Sequence, residues 1–229
     1  METIAVIDFE TTGMSPRMGA RATEIAVALV QGERIVDRYQ SLMRTGAFVP
    51  SFIERLTGIS NRMLDDAPPA AKVMREAAAF IGNHPMVAHN AAFDRSFWHS
   101  ELAQAGAAGD DEAGTASFAC TLLLSRRLND EAPNHRLGTL AEWFDLPREG
   151  RAHRALADAE VTAHLLLRMR RDVERRFADQ LPDDGVTHGL LAAMQRAPRK
   201  ALAKCVAQYR KSALPDEPGR EDVCPGDVR

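Results

Sequence analysis

The stretch IAVIDFETTG, residues 4–13, sets two carboxylates, Asp8 and Glu10, at the end of an apolar run. Side chains alternate along a strand, so positions i and i+2 point the same way, roughly 6–7 Å apart. Asp8 and Glu10 therefore share one face, and Phe9 between them takes the other. Like charges that close raise one another's pKa unless a cation separates them. Oxygen ligands of this kind suit Mg²⁺ or Mn²⁺ rather than zinc. An exposed strand end, where charge costs little, accounts for the pair as well, so the doublet alone decides nothing.

Two later segments carry similar chemistry. In VAHNAAFD, residues 87–94, a short strand ends at His89-Asn90 and Asp94 falls in the first turn of the next helix. An acid there interacts favourably with the helix dipole, or turns back over the sheet end as a third carboxylate. His89 and Asn90 stand at a strand terminus, where sites in α/β sheets form; Phe93 reads equally well as core. In HRALAD, residues 153–158, five helical residues would turn through about 500°, so the two polar side chains share no helix face. With His153 on the loop before the helix and Asp158 one turn inside it, both reach the same point. A histidine cap and a solvated aspartate are the plainer alternatives.

The elements that must position these groups follow from periodicity and punctuation. Residues 4–9 read as a buried strand, and 22–31 and 34–42 as a hairpin turning at Gly32-Glu33. Helices are expected over 51–65, broken at Thr57-Gly58, over 69–81 with Pro at its start and Gly82 past its end, and over 92–105. A short strand is expected at 85–89 and another at 117–120, after a Gly/Asp-rich loop at 106–114. A short amphipathic helix at 137–144 precedes a long one from about Arg154 to Phe177. Three N-terminal strands followed by alternating strands and helices give a mixed α/β sheet flanked by helices. After a break at 182–185, residues 189–209 look helical with an interruption at Pro198. Six Lys/Arg and no acid lie between Arg196 and Lys211, either a solvated face or a patch that meets phosphate or a partner. From Pro215 the Pro-, Gly- and charge-rich tail is expected to be disordered. The resulting division is 1–178, 179–214 and 215–229.

The chain has 229 residues, ample for one domain with an appendage. No signal peptide or membrane-spanning run is read, and Cys120, Cys205 and Cys224 are odd in number and far apart. Those features point to a cytoplasmic protein without a membrane partner. A net charge of −3 argues against coating nucleic acid electrostatically. It leaves room for an enzyme that meets phosphate through bound cations.

The order DxE, then HNxxFD, then HxxxxD, each at the end or start of an element, resembles the three exonuclease motifs of the DEDD superfamily. The match is to its histidine-containing branch, typified by the epsilon proofreading subunit of bacterial DNA polymerase III, and covers about residues 3–170. Thr11-Thr12-Gly13, Leu56-Thr57-Gly58-Ile59 and Leu137-Gly138-Thr139-Leu140 extend the likeness. The wording DFETTG is closer to the epsilon-like group than to oligoribonucleases, which typically read DLEMTG. The resemblance implies a ribonuclease-H-like fold, with residues 1–178 as the exonuclease domain and a basic helical extension after it. It implies removal of nucleotides from a 3′ end with two divalent cations, Mg²⁺ or Mn²⁺. By the same likeness Asp8 bridges both ions, Glu10 and Asp158 complete the site of one, and Asp94 supports the other through water. His153 then takes the proton from the attacking water, with activity rising from mildly acidic to alkaline pH. Thr11, Thr12, Gly13, Leu56, His89, Asn90 and Phe93 would hold the terminal nucleotide of a single-stranded or frayed DNA 3′ end.

Three rival readings differ in substrate or role. A catalytically silent binding module would have lost a carboxylate or the histidine, and none is lost. A 3′–5′ exoribonuclease acting on RNA ends or short oligoribonucleotides shares the same metal chemistry, which ignores the 2′-OH. A polymerase subunit is possible, but Gln180-Leu181-Pro182 is too short to count as a clamp-binding peptide. A free-standing or accessory nuclease is the expectation.

Overall fold

The apolar N-terminal run forms the middle strand of the sheet. In the computed structural model, which describes residues 2–106 and 118–213, β1 spans Thr3–Thr11, longer at both ends than its apolar stretch. It pairs antiparallel with β2 (Ala22–Gln31), which pairs antiparallel with β3 (Arg34–Leu42). On its other side β1 runs parallel to β4 (Met86–Ala88), and β4 parallel to β5 (Phe118–Cys120). The order β3-β2-β1-β4-β5 is the mixed sheet that the alternating elements imply.

The expected hairpin and helices are present, with boundaries shifted by a residue or two. They are α1 (Ser51–Thr57), α2 (Asn61–Asp65), α3 (Ala70–Ile81) and α4 (Ala91–Gln104). The helix α5 (Thr121–Leu128), which periodicity did not single out, follows β5 without a linker. With no polar gap, TLLLSRRL reads as a continuation of the strand before it. Then come α6 (Leu137–Trp143) and α7 (Ala155–Phe177). The helical stretch expected at 189–209 is two helices, α8 (His188–Met194) and α9 (Leu202–Ala213), separated around Pro198. Most of the 106–114 loop, Ser117 and the tail from Pro215 lie outside the described residues. No described helix is long and apolar enough to cross a membrane.

Strand alternation sorts the core into two layers. Ile4 and Val6 face α7, whose Ala163, Leu165, Leu166 and Met169 are buried against them. Ala5, Ile7 and Phe9 face α3 and α4, meeting Val73, Met74, Phe97 and Trp98. The segment after residue 178 joins the first layer through Leu190, Leu191, Met194, Leu202 and Val206. Parts of its basic run stabilise backbone ends: Arg196 donates to the Ala192 carbonyl and Arg210 to that of Asp179.

This segment also closes a sheet edge. An outer strand leaves N–H and C=O groups unpaired. On β5 the buried Gln195 amide takes them, accepting from Cys120 N–H at 2.7 Å and donating to Phe118 C=O at 2.9 Å. Gln195→Ala should strand both groups and cost about 2 kcal/mol or more; urea denaturation of the variant measures it.

Candidate active site

The even-numbered face of β1 continues from Ile4 and Val6 to Asp8 and Glu10. The i, i+2 geometry therefore aims both carboxylates toward the start of α7. Strands β1 and β4 pair only at Ala5–Met86 and Val6–Val87. Beyond Val6 they part, opening a crevice at the carboxyl ends of the parallel strands, where α/β sheets bind ligands. Asp94 fills that crevice. It stands in the first turn of α4, is 2% exposed, and accepts from the freed Phe9 N–H at 3.2 Å.

The third arm comes from α7. Ala26 on β2 packs with Ala155 and Ala159, small residues that let the helix start close to the sheet. Ahead of it His153 adopts a left-handed backbone, φ 61°, and its N–H donates to Asp158 Oδ2 at 3.1 Å. A non-glycine residue held there is strained by about 1–3 kcal/mol, and such strain is concentrated at functional sites. Donor atoms of Glu10, His153 and Asp158 lie within 4.8 Å of one another. All five sequence-predicted groups thus converge on one end of the sheet.

Their electrostatics show what the cluster lacks. Burial first, then Asp94, Glu10, Asp158 and Glu24, hold the Asp8 carboxyl well above the usual range. Burial, Asp158 and Glu24 push Glu10 up to about 8, against the pull of Arg154. Burial raises Asp94 to about 7, despite hydrogen bonds from its own and the Phe9 N–H. Asp158 is also raised, chiefly by burial. Acids crowded in this way are ionised together only with compensating positive charge.

Glu24 is a residue the sequence analysis passed over. It lies opposite Glu10 in the β1–β2 register and is 0% exposed. Arg154 grips it with two hydrogen bonds, Nε to Oε2 at 3.1 Å and Nη2 to Oε1 at 2.7 Å. The Ala155 N–H (3.0 Å) and the Gln40 amide (2.7 Å) complete its shell. Burial alone would raise its pKa, but these donors outweigh it and hold Glu24 below the ordinary value. The clamp fixes the residue after His153 and the first residue of α7. The signal was available: Glu24 interrupts the apolar run of β2 as Asp8 and Glu10 interrupt that of β1.

The remaining predicted residues surround the cluster. The Thr11 hydroxyl donates to Gly13 C=O, and Thr12 Oγ1 accepts from Arg21 N–H, so both threonines shape the turn after β1. Leu56, 46% exposed, projects from the end of α1 and is not core. Gly58 caps that helix with φ 76°, and a Cβ there would meet Arg151 Nη1 at 2.7 Å. Arg151 also donates to the Arg55 carbonyl, tying α1 to the His153 loop. His89 Nε2 lies 3.0 Å from the His135 carbonyl, so that nitrogen carries the proton and Nδ1 accepts from the Thr121 hydroxyl. Burial lowers its pKa to about 4, leaving it neutral. Asn90 has a left-handed backbone, φ 70°, and its exposed side chain makes no cap. Phe93 packs against Phe97 with the rings tilted by 51° and centroids 4.9 Å apart.

A family model described as Exonuclease (RNase_T) matches residues 5–166. The chain belongs to this exonuclease family. Its motifs put it in the DEDDh branch. The DNA polymerase III PolC-type of Bacillus cereus (strain ATCC 14579) is 37% identical over 185 residues, 80% of this chain and 12% of that protein. The 3′-5′ exonuclease DinG of Bacillus subtilis (strain 168) is 36% identical over 162 residues, 71% of this chain and 17% of that protein. The chain thus spans less than a fifth of either relative. Among solved structures, the nuclease domain of 3′hExo, a DEDDh family member bound to rAMP, superposes with a TM-score of 0.62. It is 21% identical, covering 75% of this chain and 92% of that one, which speaks for the fold alone.

Nucleases of this family depend on divalent metal, and the donors fit: Glu10, His153 and Asp158 offer ligand atoms within 4.8 Å of one another, and the raised carboxyls of Asp8 and Glu10 beside them are acids that a cation would help to ionise. Two expectations follow from the electrostatics. Glu10 and Asp94 have folded pKa values above their unfolded ones, so the stability they contribute is fully present below the unfolded carboxylate range. It is lost as pH rises through about 7 to 8. In EDTA the thermal midpoint should therefore fall between pH 6 and 9, and Mg²⁺ or Mn²⁺ should restore more of it at the upper end. Differential scanning fluorimetry over a pH series reads both. Arg154→Ala leaves Glu24 buried and unpaired, and should cost about 3–5 kcal/mol at neutral pH and less in acid; chemical denaturation at two pH values checks this.

Proposed function

We propose that the chain is a metal-dependent 3′–5′ exonuclease that removes nucleotides from DNA ends. The observation that carries this reading is the convergence of Asp8, Glu10, Asp94, Asp158 and His153 where β1 and β4 part. Two divalent ions, Mg²⁺ or Mn²⁺, would be held by the four carboxylates, Asp8 being shared, and would activate water and stabilise the leaving oxygen. His153, exposed on its loop beside Glu10 and Asp158, takes the proton from the attacking water. The water oxygen bonds to phosphorus as the P–O3′ bond breaks, releasing a nucleoside 5′-monophosphate and a shortened strand with a new 3′-OH. The left-handed backbone at His153 turns the ring back over the cluster, and the Glu24–Arg154 clamp keeps the loop from swinging away.

Exposed Leu56 is suited to press on the terminal base, and uncapped Asn90 to donate to it. The turn at Thr11, Thr12 and Gly13 shapes the wall beside the 3′-OH, while His89 and Phe93 support that wall from beneath. We assign the reaction to residues 1–178 and read 179–214 as a covering extension. The DNA polymerase III PolC-type relative supports DNA over RNA ends and a polymerase context, and the 3′-5′ exonuclease relative supports the direction of degradation.

The test offers 5′-labelled single-stranded DNA, mismatched duplex and RNA, each with Mg²⁺, Mn²⁺ or EDTA. DNA should shorten one nucleotide at a time with metal and stay intact in EDTA. His153→Ala should slow this by roughly 10²–10⁴-fold, and Asp8→Ala should abolish it. Faster shortening of RNA than of DNA would overturn the substrate assignment, and an Asp8→Ala variant as active as its parent would overturn the mechanism.

A further inference from the structure

Two cavities lie side by side at the carboxyl ends of β4 and β5. One, of about 550 Å³, runs from His89 and Asn90 between the start of α5 and the loop before α6. The other, of about 300 Å³, runs from Asn90 over the start of α5 toward Arg95 on α4. Asn90, Leu122 and Arg126 line both, so the two form one continuous groove.

The charge of this groove is opposite to that of the cluster it leaves. Arg95, Arg126 and Arg136 line it, all three exposed, and among the described residues no carboxylate does. Nor does any of the three form an ion pair with a described residue, whereas Arg21, Arg38, Arg154 and Arg168 all do. Leu122 and Leu137 give the groove an apolar floor. Unpaired guanidinium groups above apolar side chains suit a chain that alternates phosphate with flat apolar rings. The chain's net charge is negative, so this is a local feature and not a reflection of overall basicity.

We propose that this groove binds the single-stranded DNA upstream of the scissile phosphate, with Arg95, Arg126 and Arg136 on successive backbone phosphates. The inference rests on the exonuclease reading, which places the terminal nucleotide at the acid cluster and requires the rest of the strand to leave across a neighbouring surface. Asn90, which lines both cavities, follows β4 by two residues and precedes Asp94 on α4 by one helical turn. These arginines are positioning residues that set how tightly a strand is held, and they touch no reacting atom.

Fluorescence anisotropy of a 5′-labelled oligothymidylate, titrated with the full chain in EDTA over a salt series, reads binding without cleavage. The triple variant Arg95→Ala, Arg126→Ala, Arg136→Ala should bind roughly 10- to 100-fold more weakly at low salt. Its plot of log affinity against log salt should flatten by about 2, at ~0.7 for each phosphate no longer neutralised. Lysine at the same three positions should restore most of the affinity. An equal removal of charge by Lys200→Ala, Lys204→Ala, Lys211→Ala on the C-terminal segment should leave binding near wild type. Wild-type affinity and slope in the arginine variant, or an equal loss in the lysine control, would overturn the proposal. Hydrolysis of the p-nitrophenyl ester of thymidine 5′-monophosphate is followed in parallel, because it needs the acid cluster and no upstream strand. Its absence in the wild-type chain would sink the exonuclease reading, while the binding series would still judge the groove.

Discussion

Everything at the functional end of this protein depends on mutual repulsion among carboxylates that the fold refuses to separate. Asp8, Glu10 and Asp94 are pinned by the central strand, its alternation and the Phe9 N–H, and Asp158 by the first turns of α7. Protons relieve the repulsion in the absence of metal, as the raised pKa values of Glu10 and Asp94 show. Divalent cations relieve it better, because they compensate several charges at once. On the proposed reading, a cluster that is uncomfortable when empty of positive charge is thereby prepared for metal.

Rigidity around the cluster is supplied by groups that do no chemistry. Glu24 and Arg154 staple α7 to β2 behind Glu10, and three alanines let the helix come close enough for the staple to form. Arg21 performs a similar service for the turn after β1, pairing bidentately with the buried Glu101 of α4 at 2.9 and 2.8 Å. In both cases a buried carboxylate has its charge and lone pairs met by an arginine fork and a backbone N–H. The contrast with the central cluster is instructive. Acids with a permanent protein cation keep the architecture, and acids without one are, on the proposed reading, left for an exchangeable cation.

The same end of the sheet divides into two electrostatic regions. Carboxylates gather where β1 and β4 part, and guanidinium groups line the groove beyond Asn90. A nucleic-acid strand is uniformly anionic, so on the proposed reading the acidic region would accept it only through bound cations, whereas the basic groove would attract it directly. On that reading chemistry and strand holding fall to different residues, and mutations would separate them.

Much of this was legible in the chain itself, because it rests on local periodicity. The period of two in β1 placed Asp8 and Glu10 on one face. The turn at Gly32-Glu33 gave the hairpin, and the spacing from His153 to Asp158 put one residue before a helix and the other inside it. What the sequence could not disclose are contacts between residues far apart along the chain. Asp94 reaches Phe9 across 85 positions, Ala155 reaches Glu24 across 131, and Gln195 closes the β5 edge from 75 positions away. The groove likewise exists only where α4, α5 and the loop before α6 meet. Local sterics and alternation act over a few residues and can be read in order. Which distant polar groups satisfy one another, and which arginines lack an ion-pair partner among the described residues, is decided only when the layers pack.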